Sequence, residues 1–279
     1  TPSTSSAASD VYKRQAINWS TNENEVTDLF GTESINLSPG ASVSSRAVVG
    51  YPLGSLYGTG SQTNPDGSFI LNSNGFPQIT SSPIVLGDPN PDWRGGISLS
   101  MRYKKFRLNA VLEHSEGGDF SPRTLWVLRR FGTTQETANR ITLDQPLVNY
   151  RGNTIPAGTT VRGNIKDFGG GPVLLDENWY RTGIGGGFGD NQAYNFSIAD
   201  ATFTKLRDLS LSYVIDTPLV TNIGLSDVIV SLTGRDLINI NKVEGIDPEI
   251  NTKGVSVAQG VEYFTNPQTK GFLVSLTIN

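Results

Sequence analysis

The chain has one histidine, His114, and it lies among Glu113, Glu116 and Asp119. An imidazole among carboxylates can ligate a metal or act as a general base. No second histidine and no cysteine exists to complete such a site, so His114 is read as the residue where a strand enters a long loop. DPNPDW places Asp88, Asn90 and Asp92 at alternate positions, as at the start of a calcium loop. Trp93 and Leu99 stand where an EF-hand needs its glycine and its bidentate glutamate, which rejects that motif. A less regular calcium site in an outer loop stays open beside the plainer reading, a turn made rigid by its prolines. GIDPEIN sets Asp247 and Glu249 two apart, with Pro248 fixing the backbone between them. Glycosidases bring two carboxylates to opposite sides of a bond, from separate elements. Asp247 and Glu249, two apart on one stretch, do not have that placement.

Two glycine-rich stretches, FGGGP (Phe168–Pro172) and GIGGGFG (Gly183–Gly189), lack the Gly-Lys-Ser/Thr that opens a phosphate-binding helix. They read as pliant loop backbone. Trp126, Tyr150, Trp179, Tyr180 and Tyr194 gather in the longest loop. Aromatic faces suit sugar rings or a protein partner, so these five are the candidate contact residues. The competing reading has them pin the loop to itself. No catalytic residue and no cofactor is expected.

Composition narrows the elements that must position these groups. Hydrophobic residues make up 36% and charged residues 17% of 279, low for a soluble globular protein. Glycine, serine, threonine and asparagine are abundant, which favours strands and loops over helices. The net charge of −4, with no lysine or arginine cluster, argues against nucleic acid. No apolar run is long enough for a membrane helix, but a membrane barrel needs none. TPSTSSAASDVYKRQ has no apolar core and is not a secretory signal. Residues 1–15 are expected to be a translated adapter remnant, with native sequence extending upstream; the alternative is an ordinary Ser-rich disordered tail.

Strand periodicity is plain. LRDLSLSYVID sets Leu209, Leu211, Tyr213 and Ile215 against Asp208, Ser210 and Ser212. The same period of two runs through residues 97–103, 106–113, 227–236 and 271–278, and more weakly near Ala16–Ser20. One face of each strand is apolar, the other polar. A tight turn at Lys104–Lys105 joins two of them in a hairpin. Past Glu113, however, roughly 85 residues run without an obvious strand pair, too long for a structureless loop in a compact soluble domain. Short and long links alternate, as in an outer-membrane barrel with periplasmic turns and long outer loops. Tyr103, Phe106 and Tyr213 fall at the short-turn ends, where an interfacial aromatic girdle belongs. The sequence thus predicts an all-β fold: about six antiparallel transmembrane strands of a barrel, with long extracellular loops.

FTKLRDLSLSYVIDTPLV, GLSDVIVSLTGRDLINI and GIDPEIN, in that order, resemble the C-terminal end of the SusC/RagA-like family of TonB-dependent outer-membrane transporters. LGDPNPDWRGGISLSMRYKKFRLNAVLEHSEGGD and VVGYPLGSLYG are similar to elements further upstream in that family, and the resemblance spans residues 16–279. It implies a barrel of about 22 strands around a plug, energised by the TonB complex and lidded by a SusD-like surface lipoprotein. It also implies bacterial outer-membrane lipid around the wall, oligosaccharide or peptide cargo, no enzymatic step, and a structural role for Asp247 and Glu249, since GIDPEIN resembles a loop motif of that family without known chemistry. About six strands cannot close such a barrel, so the chain is expected to be its C-terminal part, without plug or TonB box. The family's last strand commonly ends in an aromatic residue, whereas here the last residues are Ile278 and Asn279. The rival reading is a secreted, soluble all-β carbohydrate-binding or adhesin module.

Overall fold

The period-two segments pair side by side. In the computed structural model, which describes residues 11–38, 42–182, 192–243, 245–250, 252 and 259–279, six strands form one sheet. They are β1 (Val11–Ser20), β2 (Trp93–Tyr103), β3 (Phe106–Glu116), β4 (Phe203–Ile215), β5 (Val228–Asn241) and β6 (Gly271–Ile278), paired in that order. Every neighbour is antiparallel. The sheet is open at β1 and β6, and no closed barrel is seen among the described residues.

Register carries the alternation across the sheet, because residues opposite each other share a face. Met101, Leu108, Leu211, Leu232 and Val274 form one apolar rung, and Tyr103, Phe106, Tyr213, Val230 and Leu276 the next. Ser100, Asn109, Ser210 and Thr233 line the other face. The expected hairpin is present: Tyr103 pairs with Phe106, and Lys104 takes the left-handed backbone, φ 54°, that a two-residue connection demands. The rings of Phe106 and Tyr213 lie 4.8 Å apart on the apolar face. At the far end of β2, Trp93 packs on His114 at 4.7 Å.

Several strands outrun their sequence-predicted bounds. β2 begins at Trp93 because Gly95 and Gly96, which blank the alternation, are needed for close approach. A Cβ on Gly96 would sit 2.5 Å from the Asn18 side-chain oxygen. β1 begins at Val11, inside the segment expected to be foreign; residues 1–10 of that segment lie outside the described residues. β5 passes Arg235 to Asn241 through an irregularity opposite a bulge in β4, where Leu206 and Asp208 face β3 residues Leu112 and Val111. That bulge reverses parity. Below it the odd residues of β4 are apolar and outward; above it Leu206 takes that face and Lys205 crosses to the polar one.

The long links are folded. Between β1 and β2, Ser34–Ser38, Ser44–Val48, Ser55–Gly58 and Ile84–Gly87 make a four-stranded sheet. Between β3 and β4 come helix α1 (Arg123–Phe131), short two-stranded ladders and helix α2 (Glu177–Thr182). The two links share a core in which Phe76, Phe168, Val173, Leu175, Trp179, Tyr180 and Ala193 are buried. Phe76 and Trp179 stack at 5.5 Å, and Phe168 meets Trp179 at the same distance. Trp179→Ala should destabilise this loop body by about 3–5 kcal/mol. Amide hydrogen exchange should show faster exchange in residues 164–180 and an unchanged six-stranded sheet.

Candidate functional site

Above the bulge, β4 turns Lys205 and Arg207 toward the polar face, where residues 245–250 meet the sheet. The Lys205 side chain is 1% exposed. Its ammonium donates to both Asp247 oxygens at 2.8 and 2.7 Å, to Glu249 Oε2 at 2.7 Å and to Gln268 Oε1 at 3.3 Å. Arg207 bonds Glu113 at 2.7 Å and also Glu249, so Glu249 joins the two cations. Asn239 of β5 donates to Asp247 at 3.2 Å. Pro248 keeps the two acids adjacent, and the Glu249 N–H closes the turn on Asp247 Oδ1 at 3.0 Å. Burial works to raise the Glu249 carboxyl. Hydrogen bonds from Arg207 and Lys205 outweigh it and hold the group down at about 2.

Sequence reasoning judged Asp247 and Glu249 structural and overlooked their partner. A lysine on a strand that otherwise alternates cleanly was the available signal. The arrangement offers no opposed acid/base pair, since both acids hold cations.

The other candidates separate. His114 lies in the rung of Gly95 and Thr204, bonding Thr204 Oγ1 at 2.8 Å and Glu116 at 2.9 Å. Glu113 belongs to Arg207, and Asp119 accepts the Asp88 N–H at 3.0 Å. Asp88 in turn accepts from the Asn90 backbone and side chain at 2.9 and 2.6 Å, a proline-bounded turn leading into β2. Among the described residues no three His, Cys, Asp or Glu side chains are grouped to hold a metal. In FGGGP the amides of Gly169 and Gly171 donate to Asp167 at 2.7 and 3.0 Å, filling the place a phosphate would take. Gly183–Gly189 lies outside the described residues.

Of the five aromatic contact candidates, Trp126, Trp179, Tyr180 and Tyr194 are buried and Tyr150 is half-buried. Trp179 and Tyr180 belong to the shared loop core with Tyr150 packed on it, and Tyr194 packs with Val43 and Leu56. The Tyr180 hydroxyl, pushed up chiefly by burial, bonds Asn164 at 2.8 Å and Glu136 at 3.2 Å. The ring faces that direct stacking on a ligand would use are turned inward here, packed with Phe76, Phe168, Val173 and Leu175 in the loop core or, for Tyr194, with Val43 and Leu56.

The chain is mostly β, and its open antiparallel wall has one apolar and one polar face, short turns at one rim and folded loops at the other, as a fragment of a β-barrel has. No protein-family profile matches the chain. In sequence it is similar to TonB-dependent receptor P3 of Formosa agariphila, 22% identical over 222 residues, which cover 77% of the chain and 19% of that protein. In fold it is similar to the RagAB peptide transporter, with TM-score 0.57 and 18% identity over 97% of the chain and 27% of the solved chain. The closed-closed state of the RagAB peptide importer gives TM-score 0.57 and 19% identity. The chain thus spans about a fifth of the curated relative and about a quarter of the solved ones. These likenesses bear out the resemblance to TonB-dependent receptors, and with it a bacterial outer-membrane location.

Asp247→Ala leaves the Lys205 charge buried with half its compensation and should cost about 3–5 kcal/mol. Limited proteolysis should then cut within 242–270 while the strands stay protected. The depressed Glu249 carboxyl stabilises the folded state above its ordinary 4.5, and that stabilisation is lost as pH falls toward 2. The same cleavage should therefore appear in the parent protein across that window.

Proposed function

We propose that this chain forms part of the barrel wall and outer mouth of a TonB-dependent outer-membrane importer. The two-faced sheet with sorted links carries the reading: apolar rungs run outward across β2 to β6 while hydroxyls and amides line much of the other face. The outward rungs meet lipid, and Asp208, Ser210 and Ser212 face the lumen. The free edges of β1 and β6 carry unpaired backbone groups that lipid cannot satisfy, so further strands must continue the sheet on both sides. Residues 1–15 are read as foreign to that wall. Ile17 and Trp19 suit the outward face of β1, whereas Lys13, opposite Met101, and Gln15, opposite Leu99, do not.

Cargo would be oligosaccharide or peptide. The RagAB relatives, a peptide transporter and importer by name, favour the peptide side. A SusD-like lipoprotein would cover the folded loops, and the TonB complex would act through a plug supplied by the rest of the protein. The buried aromatics then serve cargo or lid indirectly, by shaping the surface that Tyr150 and its neighbours present.

Adjacent substitutions test the orientation. In the full-length gene product, Leu211→Arg should cost about 2–4 kcal/mol if near the bilayer midplane, less toward the rim. Ser210→Arg should cost little. Thermal unfolding in detergent would report both, and equal effects would count against a lipid-facing rung. Function is tested by uptake of fluorescent peptides and oligosaccharides into cells with and without an intact TonB complex. Accumulation that needs both the gene and TonB is expected. Release of the protein from membranes by carbonate without detergent would instead favour a soluble module.

A further inference from the structure

The short link between β4 and β5 differs from the lysine hairpin beside it. Asp216 and Asp227 bound ten residues, TPLVTNIGLS, none of them charged. Pro218–Thr221 form a helical turn, α3, with Pro218 at its start and Asn222 bonding back to the Pro218 carbonyl at 2.9 Å. Gly224, at φ 86°, ends it. Leu219 within the turn and Ile223 just past it are 83% and 72% exposed. They are among the most exposed large apolar side chains of the described residues.

The turn is fixed in place. Asp216 pairs with Lys105 of the neighbouring hairpin. Ser226 and Asp227 exchange backbone hydrogen bonds with Asn279 at 2.7 and 3.0 Å, and the Asn279 amide bonds the Asp227 carboxylate at 2.7 Å. The apolar face also continues into it. Beyond the Tyr213 rung, Ile215, Val228 and Ile278 form one more outward rung before the turn begins. At the β2–β3 hairpin the apolar face instead stops at Tyr103 and Phe106, and Lys104 and Lys105 follow at once.

We infer that the 216–227 turn is a membrane-interface anchor, its Leu219 and Ile223 seated at the headgroup–acyl boundary of the lipid that the apolar rungs already face. A water-facing turn gains nothing from two bare aliphatic side chains, whereas the boundary rewards apolar burial with the flanking charges left in water. The inference rests on the lipid-facing reading of the sheet, and the test separates the two.

The full-length transporter, reconstituted in phosphatidylethanolamine and phosphatidylglycerol vesicles, would carry single spin labels on L219C, I223C, L211C or K104C. Parental uptake rates would certify each variant. Collision with dissolved oxygen and with a water-soluble nickel chelate reports each environment. The expected result is oxygen access with a several-fold loss of chelate access at Leu219 and Ile223, close to Leu211 and unlike Lys104. Chelate access at both sites equal to that at Lys104, with Leu211 shielded, overturns the anchor and leaves the barrel standing. Shielding from both reagents would mean that protein covers the turn, which also overturns it. Chelate access at Leu211 itself would defeat the barrel orientation and the anchor together.

Discussion

Taking the Lys205 ammonium out of water costs several kcal/mol, far more than any single loop contact returns, unless opposite charge arrives with it. The compensation comes from Asp247 and Glu249, 42 and 44 residues further along the chain, on a link whose described residues include one short strand, Val261–Glu262. Residues 245–250 are thereby obliged to lie against the sheet. Asp247 alone would satisfy the lysine, but Glu249 also meets Arg207, and Arg207 also meets Glu113 of β3. Moving the loop away would strand two cations rather than one. The β-bulge is the precondition, because an unbroken alternation would leave Lys205 outward with Leu209 and Leu211.

The wall was legible in the sequence because period two survives wherever one face is apolar: Leu209 to Ile215 and Phe272 to Ile278 announce themselves. Legibility failed where the pattern was interrupted for a local reason. Gly95 and Gly96 hide the start of β2 by giving up side chains to Trp93 and Asn18. The bulge at Arg207 and the irregularity at Asp236 conceal that Ile238 and Ile240 resume the outward face of β5. The loop body was illegible for a different reason. Its core joins Phe76 to Phe168 and Trp179, residues from two links separated by two wall strands. No periodicity relates positions brought together that way. The same distance hid the meaning of GIDPEIN, whose acids looked unemployed until their cations appeared across the bulge.

The polar face changes character along its height. Toward the short-turn rim its cross-strand pairs are hydroxyls, Ser212 with Ser231 at 2.8 Å and Ser210 with Thr233 at 3.0 Å. Each hydroxyl keeps capacity for another partner, so this lining can exchange bonds with water or a neighbouring surface at little cost. Toward the loop rim the same face carries Lys205, Arg207, Glu113 and Asn239, whose bonds are already spoken for. One end of the wall is suited to transient contact, and the other to holding structure.

That rigidity reaches past the wall. The link from β5 to β6 does not merely rest on Lys205; its Val261–Glu262 segment pairs in parallel with Ser121–Pro122, just ahead of α1. Glu262, itself buried, accepts from the Thr124 hydroxyl at 2.6 Å and amide at 3.2 Å, closing the start of that helix. The β3–β4 link is therefore fastened to the β5–β6 link, which is fastened to β4. The β1–β2 link joins them through Phe76 and through Ser61, whose N–H donates to Asn195 at 2.8 Å. A displacement of any one link must strip charge or apolar surface from another. The described parts of the three links are consequently packed and bonded to one another as one body. Separate flapping of its loops would break the bonds that place them.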